Sequence, residues 1–353
     1  MLPQTFWLVL NYRCNNRCRY CYVSPTEFPS DKRMSLQDSR LVMMAMKNVG
    51  AKSMILIGGE PTLHPELPTI IQEGKQNGFF VGIVTNGRKF SERSFADRMI
   101  GAGLDAVAIS FEAPERDSFN EITQVSVSWD ETLAALHLLS EYDVRLSTIT
   151  TVSPMTISLI EDIARVVSAC GVSQISFNFA TPNYPQDSSL EDFSIDPKKA
   201  AEAIEKAFWV LKGEGIGISF LPTLPMCLFS EELRQELFPV AKMGCACHVY
   251  TGKGVVFGPS RNLLPCTHLT EFPTVNNLNL EDLSIPGRFK LFWEDQNGQP
   301  ELLRKNAWKY PSRHCKSCDY WGKCIGGCPL FRKNYSPEKY IASAISIKKP
   351  RNT

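Results

Sequence analysis

The chain has 353 residues, 43% hydrophobic and 21% charged, which is enough for a sizeable core and argues against disorder as the main state. Two domains are the expectation for this length. Thirty-eight basic and 37 acidic residues leave a formal net charge of +1, which does not indicate a nucleic-acid-binding protein. The N-terminus MLPQTFWLVLNYRC lacks the features of a signal peptide, and no apolar run is long enough to span a membrane. We therefore expect a soluble cytoplasmic protein that binds neither nucleic acid nor membrane.

From residue 6 to about residue 220, short apolar runs alternate with longer segments of helical period. The six runs are FWLVLNY, SMILIGGEP, FVGIVTNG, AVAISFEA, VRLSTITTV and QISFNFATP. Ser35, with Asp38 three residues later, predicts the start of the first helix. Continuous apolar strands separated by helices are typical of a parallel sheet that is covered on both faces or closed. Six such units predict an α/β fold, a partial (β/α)6 barrel.

Polar stretches follow the first four predicted strands. CNNRCRYC (14–21), GGEP (58–61), TNG (85–87) and SFEAPE (110–115) come after strands 1 to 4 in that order. In parallel α/β folds, ligands gather at the C-terminal ends of the strands. We therefore expect all four stretches to surround one mouth of the barrel.

The character of the sequence changes near residue 220. Regular periodicity weakens, and eight of the twelve cysteines fall between residues 227 and 328. Metal ligation is a plausible source of stability for such a segment. We predict a barrel domain at 1–220, a small cysteine-rich domain at 221–335 and a solvated tail at 336–353.

The cysteines are grouped, and reduced cytosolic thiols in groups indicate metal binding rather than disulfides. Cys14, Cys18 and Cys21 can hold three irons of a four-iron, four-sulfur cluster, leaving the fourth iron open for a small molecule. The alternative is a zinc site that takes its fourth ligand from elsewhere. Cys170 stands apart and is interpreted as a small buried hydrophobe.

The triplet C-x3-C-x2-C after strand 1, the aromatic Tyr20 before its third cysteine, and GGEP after strand 2 resemble the radical S-adenosylmethionine (SAM) enzymes. The resemblance covers roughly residues 6 to 180. It implies that Cys14, Cys18 and Cys21 bind a 4Fe-4S cluster whose open iron chelates SAM. Reductive cleavage of SAM then gives a 5'-deoxyadenosyl radical that abstracts a substrate hydrogen.

The same resemblance implies roles for individual residues at the mouth. Gly58 and Gly59 let the backbone approach the methionine moiety of SAM, and Glu60 interacts with its amino group. Tyr20 packs near the adenine, and Ser110 approaches the ribose.

Two more residues that follow predicted strands, Glu112 and His64, are interpreted separately. Glu112, in SFEAP, stands at the acidic place of the Ser-x-Asp-Gly-like stretch that often follows the fourth strand in this family. His64, in GGEPTLHPEL, is interpreted as a residue of a solvated turn. No residue is assigned as the catalytic acid or base.

The C-terminal motif CKSCDYWGKCIGGC is similar to the SPASM extension of radical SAM enzymes, which holds auxiliary four-iron clusters. Without that context, its four cysteines could form one closed zinc or iron-sulfur site. One auxiliary cluster is implied to take Cys328, Cys266 and two of Cys227, Cys245 and Cys247. A second is implied to take Cys315, Cys318 and Cys324, and no cysteine follows Cys328 to complete it.

A further departure from the SPASM pattern lies five residues before Cys266. Such segments usually carry a glycine there, whereas this chain has Arg261. Asn262 is therefore expected to supply the turn.

The resemblance leaves the substrate open. We expect a ribosomally synthesised precursor peptide, which gains a cross-link, an epimerised residue or a related change. The alternative is dehydrogenation, epimerisation or decarboxylation of a small molecule such as a sugar or nucleoside derivative, and the non-enzymatic alternative is a structural zinc protein. The expected partners include a one-electron donor such as flavodoxin or ferredoxin. Because strand 1 begins near the N-terminus, a peptide substrate would be presented by a separate peptide-recognition protein, or its leader would add to a sheet edge of the chain itself.

Overall fold

The computed structural model describes residues 1–21, 31–180, 193, 195–220, 224–237, 247, 251–264, 266–267, 274–307, 309–322, 324–328 and 338. Nine strands form one open sheet in the order β7-β6-β5-β4-β3-β2-β1-β8-β9. All neighbouring strands are parallel except β8 and β9. The strands are β1 (Thr5–Val9), β2 (Ser53–Ile57), β3 (Phe80–Thr85), β4 (Ala106–Ser110), β5 (Arg145–Val152), β6 (Gln174–Phe179), β7 (Ile218–Phe220), β8 (Gly254–Gly258) and β9 (Asn262–Leu264).

Helices lie between the parallel strands and cover one face of the sheet, and the last three helices follow β9. They are α1 (Leu36–Asn48), α2 (Leu67–Gln76), α3 (Arg93–Gly101), α4 (Arg116–Thr123), α5 (Ser128–Leu139), α6 (Ile160–Ala169), α7 (Pro197–Gly213), α8 (Glu231–Leu237), α9 (Leu280–Leu283), α10 (Arg288–Glu294) and α11 (Gln299–Ala307). Ser35 caps α1 as predicted, because its hydroxyl accepts the Asp38 N–H at 3.0 Å. The six predicted strand-helix units and the unclosed barrel are confirmed.

The two faces of the sheet pack differently. Strand residues such as Phe6, Leu8 and Met54 face the helices and are completely buried in the large core. The opposite face carries a small cluster of Val9, Tyr12, Ile57, Val256 and Leu264, against which Cys21 packs. The first cysteine group therefore lies on the open, concave side of the sheet.

Three strands lie beyond the six predicted units. β7 extends the sheet past β6, while β8 pairs in parallel with β1 from Thr5 to Leu8. The predicted division at residue 220 thus separates segments that share one continuous sheet. The division itself stays a prediction.

The turn before β9 is made by Arg261 and not by Asn262, so that prediction was wrong. Arg261 has a φ of 54°, in the left-handed region that favours glycine, whereas Asn262 begins the strand. The Arg261 guanidinium lies 2.7 Å from an Asp38 carboxylate oxygen on α1 and 2.8 Å from Glu281 on α9. These two ion pairs connect the turn to the barrel and help to hold an unfavourable backbone conformation.

Across the residues that the structure describes, no helix has both the length and the apolar character needed to cross a membrane.

Candidate metal and cofactor site

The cysteine loop, residues 14–21, begins five residues after β1 and is held by the end of α4. The backbone N–H of Arg17 donates to the Thr123 carbonyl at 2.9 Å, and that of Arg19 donates to Ile122 at 3.1 Å. Both acceptors belong to the last turn of α4, whose carbonyls have no partner within the helix. The loop is therefore ordered by backbone contacts that do not depend on the cysteines.

The three half-buried thiols of this loop influence one another. Burial raises the pKa of Cys14 to about 12, and the nearby charge of Glu60 adds to the rise. Burial raises the pKa of Cys18 well above its usual value, followed by the effect of Cys21. A thiol ligates metal as a thiolate, so these groups need a bound cation to deprotonate near neutral pH. Three neighbouring soft ligands of this kind fit an iron-sulfur cluster.

The sulfur of Cys14 accepts two N–H groups. The Asn16 backbone N–H donates to it at 3.3 Å, and the Asn86 side-chain amide approaches to 3.9 Å. Hydrogen bonds to a cysteine sulfur stabilise its negative charge and tune a bound cluster.

Gly58 and Gly59 are required by close packing against the segment that leads into the cysteine loop. A Cβ at Gly58 would lie 2.5 Å from the carbonyl oxygen of Asn11. At Gly59 it would lie 2.5 Å and 2.6 Å from the carbonyl oxygens of Tyr12 and Arg13. The glycines thus let the loop after β2 lie directly on residues 11–13. Their approach to the methionine moiety of SAM stays a prediction.

Glu60 is buried and joins the loops that follow β2 and β3. Its Oε1 accepts the Thr62 N–H at 3.0 Å and the hydroxyls of Thr62 and Thr85 at 2.6 Å each. Its Oε2 accepts the Asn86 N–H at 2.8 Å. Burial raises the pKa of Glu60, and these hydrogen bonds oppose the rise. Oε2 accepts this one bond and so has capacity for a further donor.

Tyr20, Ser110 and Glu112 lie at the same mouth. The Tyr20 hydroxyl is buried beside Glu112 without a well-aligned hydrogen bond, and its ring meets Phe193 edge-on at 6.2 Å. Glu112 is 6% exposed and accepts the Thr151 N–H at 3.0 Å. Burial raises the pKa of Glu112 to about 7. Ser110 is half-buried at the end of β4, two residues before Glu112.

His64 is buried rather than part of a solvated turn, so that interpretation was wrong. It is 3% exposed, and its Nε2 lies 2.9 Å from the Met34 carbonyl oxygen. Its Nδ1 accepts the Glu66 N–H at 3.3 Å, which leaves Nε2 to carry the proton. Burial lowers the pKa of His64. The neutral imidazole therefore pins the turn after GGEP to the segment before α1.

Asn86 and Arg88 contact the cysteine loop, and the sequence patterns assigned neither residue a role in binding. Asn86 donates to the Asn15 side chain at 2.7 Å, and Arg88 donates to the Asn15 carbonyl at 2.6 Å. The only sequence signal was their position in or next to TNG, at the end of β3.

The segment that contains Cys227 lies against the C-terminal cysteine motif, residues 315–328. Cys324 Sγ accepts the N–H of Met226 at 3.5 Å, and Met226 directly precedes Cys227. Gly326 donates to the same sulfur at 3.3 Å. The structure thus brings Cys227 close to Cys324, which the resemblance assigned to a different cluster.

Contacts of α8 with Tyr320 support this placement. The Tyr320 hydroxyl lies 3.3 Å from Glu231, and the Arg234 guanidinium lies 5.3 Å from the Tyr320 ring centroid. The segment 226–237 therefore packs against the loop that contains Cys315, Cys318 and Cys324. Cys247, Cys266 and Cys328 are half-buried, while Cys245 lies outside the described residues.

Within the described ranges, no three His, Cys, Asp or Glu side chains converge on the position of a single metal ion, and this includes the N-terminal triplet. Cysteine ligands of a four-iron cluster bind different irons, so they do not need to meet at one point.

Residues 8–167 match the family model described as the Radical SAM superfamily. Relatives named "Probable GTP 3',8-cyclase" from Metallosphaera sedula and Saccharolobus solfataricus are 34% and 36% identical over 119 residues. These matches cover 33% of this chain and 37% and 38% of the relatives. The chain thus matches well under half the length of these curated relatives.

Solved structures extend the likeness to almost the whole chain. Streptococcus suis SuiB bound to S-adenosylmethionine superposes with a TM-score of 0.73 at 13% identity, covering 95% of this chain and 75% of SuiB. The protein anSMEcpe with bound AdoMet gives a TM-score of 0.73 at 17% identity, covering 98% of this chain and 91% of that one. At these identities the likeness shows the fold. Residues 8–167, which run from β1 into α6 and include the cysteine loop, thus match the Radical SAM family model, and the chain has the radical SAM fold.

Proposed function

We propose that this protein is a radical SAM enzyme in which Cys14, Cys18 and Cys21 hold a 4Fe-4S cluster. The observation that carries the proposal is the group of three half-buried thiols at the mouth of a radical SAM domain. When bound, the cluster and SAM would supply reductive cleavage to a 5'-deoxyadenosyl radical that removes hydrogen from a substrate.

The chain's own residues would bind and orient SAM. Glu60 Oε2 retains the capacity to accept a hydrogen bond from the SAM ammonium group. Tyr20 would pack near the adenine, Ser110 would contact the ribose, and Gly58 and Gly59 would lie beside the methionine moiety. Tyr20 lies beside Glu112, two residues after Ser110, which supports one continuous site.

The substrate proposed first is a ribosomally synthesised precursor peptide. Two proteins of similar fold support it, since SuiB has been crystallised bound to the precursor peptide SuiA and anSMEcpe with AdoMet and a peptide. The second candidate is a small molecule such as a nucleotide or sugar derivative. The relatives named as GTP cyclases favour it, because they match 119 residues of this chain at higher identity than the solved structures do.

The C-terminal cysteines are proposed to bind auxiliary 4Fe-4S clusters. The contact between Met226 and Cys324 supports adding Cys227 to Cys315, Cys318 and Cys324, which would complete the set that had lacked a fourth ligand. The other cluster would then take Cys266, Cys328 and the pair Cys245 and Cys247. A flavodoxin or ferredoxin would supply the electron, and a separate protein would present a peptide substrate.

Anaerobic reconstitution tests the enzymatic proposal. We expect iron and sulfide to bind in equal amounts, and dithionite to trigger release of 5'-deoxyadenosine from SAM. Cys14→Ala, Cys18→Ala and Cys21→Ala should each abolish that release. Tightly bound zinc without release of deoxyadenosine would instead establish the structural zinc protein. Incubation with a precursor peptide or with GTP, followed by mass spectrometry, separates the two substrate classes.

A further inference from the structure

Arg88 links the cysteine loop to the barrel. It follows β3 and begins a short 3-10 turn. Its Nη1 donates to the Asn15 carbonyl at 2.6 Å and to the Asn16 side-chain oxygen at 3.1 Å, while its Nε donates to Glu131 on α5. The Arg88 side chain is 12% exposed. One guanidinium thus joins two residues between Cys14 and Cys18 to a helix of the core.

Asn86 completes the connection to the cysteine sulfur. Its amide nitrogen donates to the Asn15 side chain at 2.7 Å and approaches Cys14 Sγ at 3.9 Å. Its amide oxygen accepts the Arg88 N–H at 3.1 Å, and its carbonyl accepts the Thr132 hydroxyl at 3.0 Å. The side-chain amide that faces Cys14 is therefore oriented by the backbone N–H of Arg88, and the Arg88 guanidinium acts on the loop through Asn15 and Asn16.

We propose that Arg88 is a positioning residue for the metal cluster at Cys14, Cys18 and Cys21: it fixes the spacing of the loop and places positive charge beside the cluster. This inference rests on the proposed function, since it requires a cluster at these cysteines. The planar guanidinium donates in two directions at once, whereas a lysine ammonium on a flexible stem is poorly suited to that geometry.

The two effects have separate signatures. Loss of the guanidinium hydrogen bonds to Asn15 and Asn16 loosens the cysteine loop and speeds the loss of iron. Groups that orient metal ligands commonly affect metal affinity about 10- to 100-fold. Loss of the positive charge makes reduction harder, because one-electron reduction adds negative charge to the cluster. A purely structural ion pair with Glu131 would change protein stability without changing the reduction potential.

The experiment uses the full chain, reconstituted anaerobically, as wild type, Arg88→Gln, Arg88→Lys and Asn16→Ala. Arg93→Gln is the matched control, because Arg93 lies close by in sequence and pairs with Glu141 on the exposed surface. Iron release to a chelator and the reduction potential from electron paramagnetic resonance are measured, with thermal unfolding recorded for each variant.

We expect Arg88→Gln to release iron about tenfold faster than wild type and to have a more negative reduction potential. Arg88→Lys keeps the charge, so it should release iron faster at a potential near wild type. Asn16→Ala removes one acceptor and should also speed iron release, which tests the connection even if Arg88→Gln fails to fold. Arg93→Gln should match wild type in both measurements.

The inference is overturned if folded Arg88→Gln keeps wild-type iron release and potential. It is overturned equally if Arg88→Gln fails to fold and Asn16→Ala releases iron at the wild-type rate. Failure of the wild-type chain to bind iron and sulfide would overturn the proposed function itself, so the two failures are distinguishable.

Discussion

Replacing Glu112 with glutamine should remove a pH dependence of stability that this carboxyl imposes. The folded state holds the Glu112 proton up to about pH 7, whereas the unfolded chain releases it near the usual value of 4.5. Between these pH values the folded state binds more protons than the unfolded state. The free energy of unfolding contributed by Glu112 therefore falls as pH rises through this window.

The magnitude follows from the two pKa values. At 1.36 kcal/mol for each tenfold change in proton affinity, burial of Glu112 costs about 3 kcal/mol of stability above pH 7. The physical cause is the desolvation of a carboxylate that is 6% exposed, which the hydrogen bond from the Thr151 N–H only partly offsets. Below about pH 4.5 the group is protonated in both states, and the cost disappears.

The assay is urea unfolding followed by circular dichroism on the full-length chain treated with chelator, at several pH values from about 4.5 to 8. Subtracting the wild-type from the Glu112→Gln unfolding free energy cancels the titration of all other groups. The difference should rise by about 3 kcal/mol across the window. Glu115→Gln, at an exposed carboxyl three residues away, is the control and should show no such rise. Parallel pH profiles for wild type and Glu112→Gln would refute the reasoning.

Three further predictions concern packing and metal binding. Gly59→Ala should destabilise the protein by about 1–3 kcal/mol in urea unfolding, because its Cβ would overlap backbone atoms, whereas Gly101→Ala, with open space around it, should not destabilise. Glu60→Gln should cost about 1–3 kcal/mol in the same assay, because the amide oxygen can replace Oε1 but the amide nitrogen then faces the Asn86 N–H in place of Oε2; an unchanged unfolding midpoint would contradict this. Cys227→Ala should lower the iron content of the reconstituted protein and spare dithionite-dependent release of 5'-deoxyadenosine; an unchanged iron count would exclude Cys227 as a ligand.

Local sequence patterns predicted the first six strands and the mouth where their polar ends meet. Each strand is a short apolar run next to a helical segment, and the start of α1 is specified by Ser35 itself. The placement of the cysteine loop beside GGEP followed from the parallel order of strands.

Features that depend on distant partners were not predictable in this way. β8 pairs with β1 across almost 250 residues, and no short apolar run specifies such a partner. His64 can be buried because the Met34 carbonyl, thirty residues earlier, accepts a hydrogen bond from its Nε2–H. Arg261 adopts a conformation that its own preference disfavours, since Asp38 and Glu281 hold its side chain.

The reason for the paired glycines was also hidden. Their motif suggested space for a ligand, but the atoms that a side chain would meet belong to residues 11–13. Predicting such backbone packing requires knowing the conformations of both the loop after β2 and residues 11–13.

The pairing of β8 with β1 makes the C-terminal half a structural support for the cysteine loop. β1 lies between β2 and β8, and the loop with Cys14 begins five residues after it. A protein shortened to end at residue 220 would expose one edge of β1 and leave its backbone N–H and C=O groups free to pair with other chains. The cysteine-rich C-terminal region and residues 8–167 should therefore unfold in one cooperative transition. Damage to the C-terminal region should destabilise the cysteine loop.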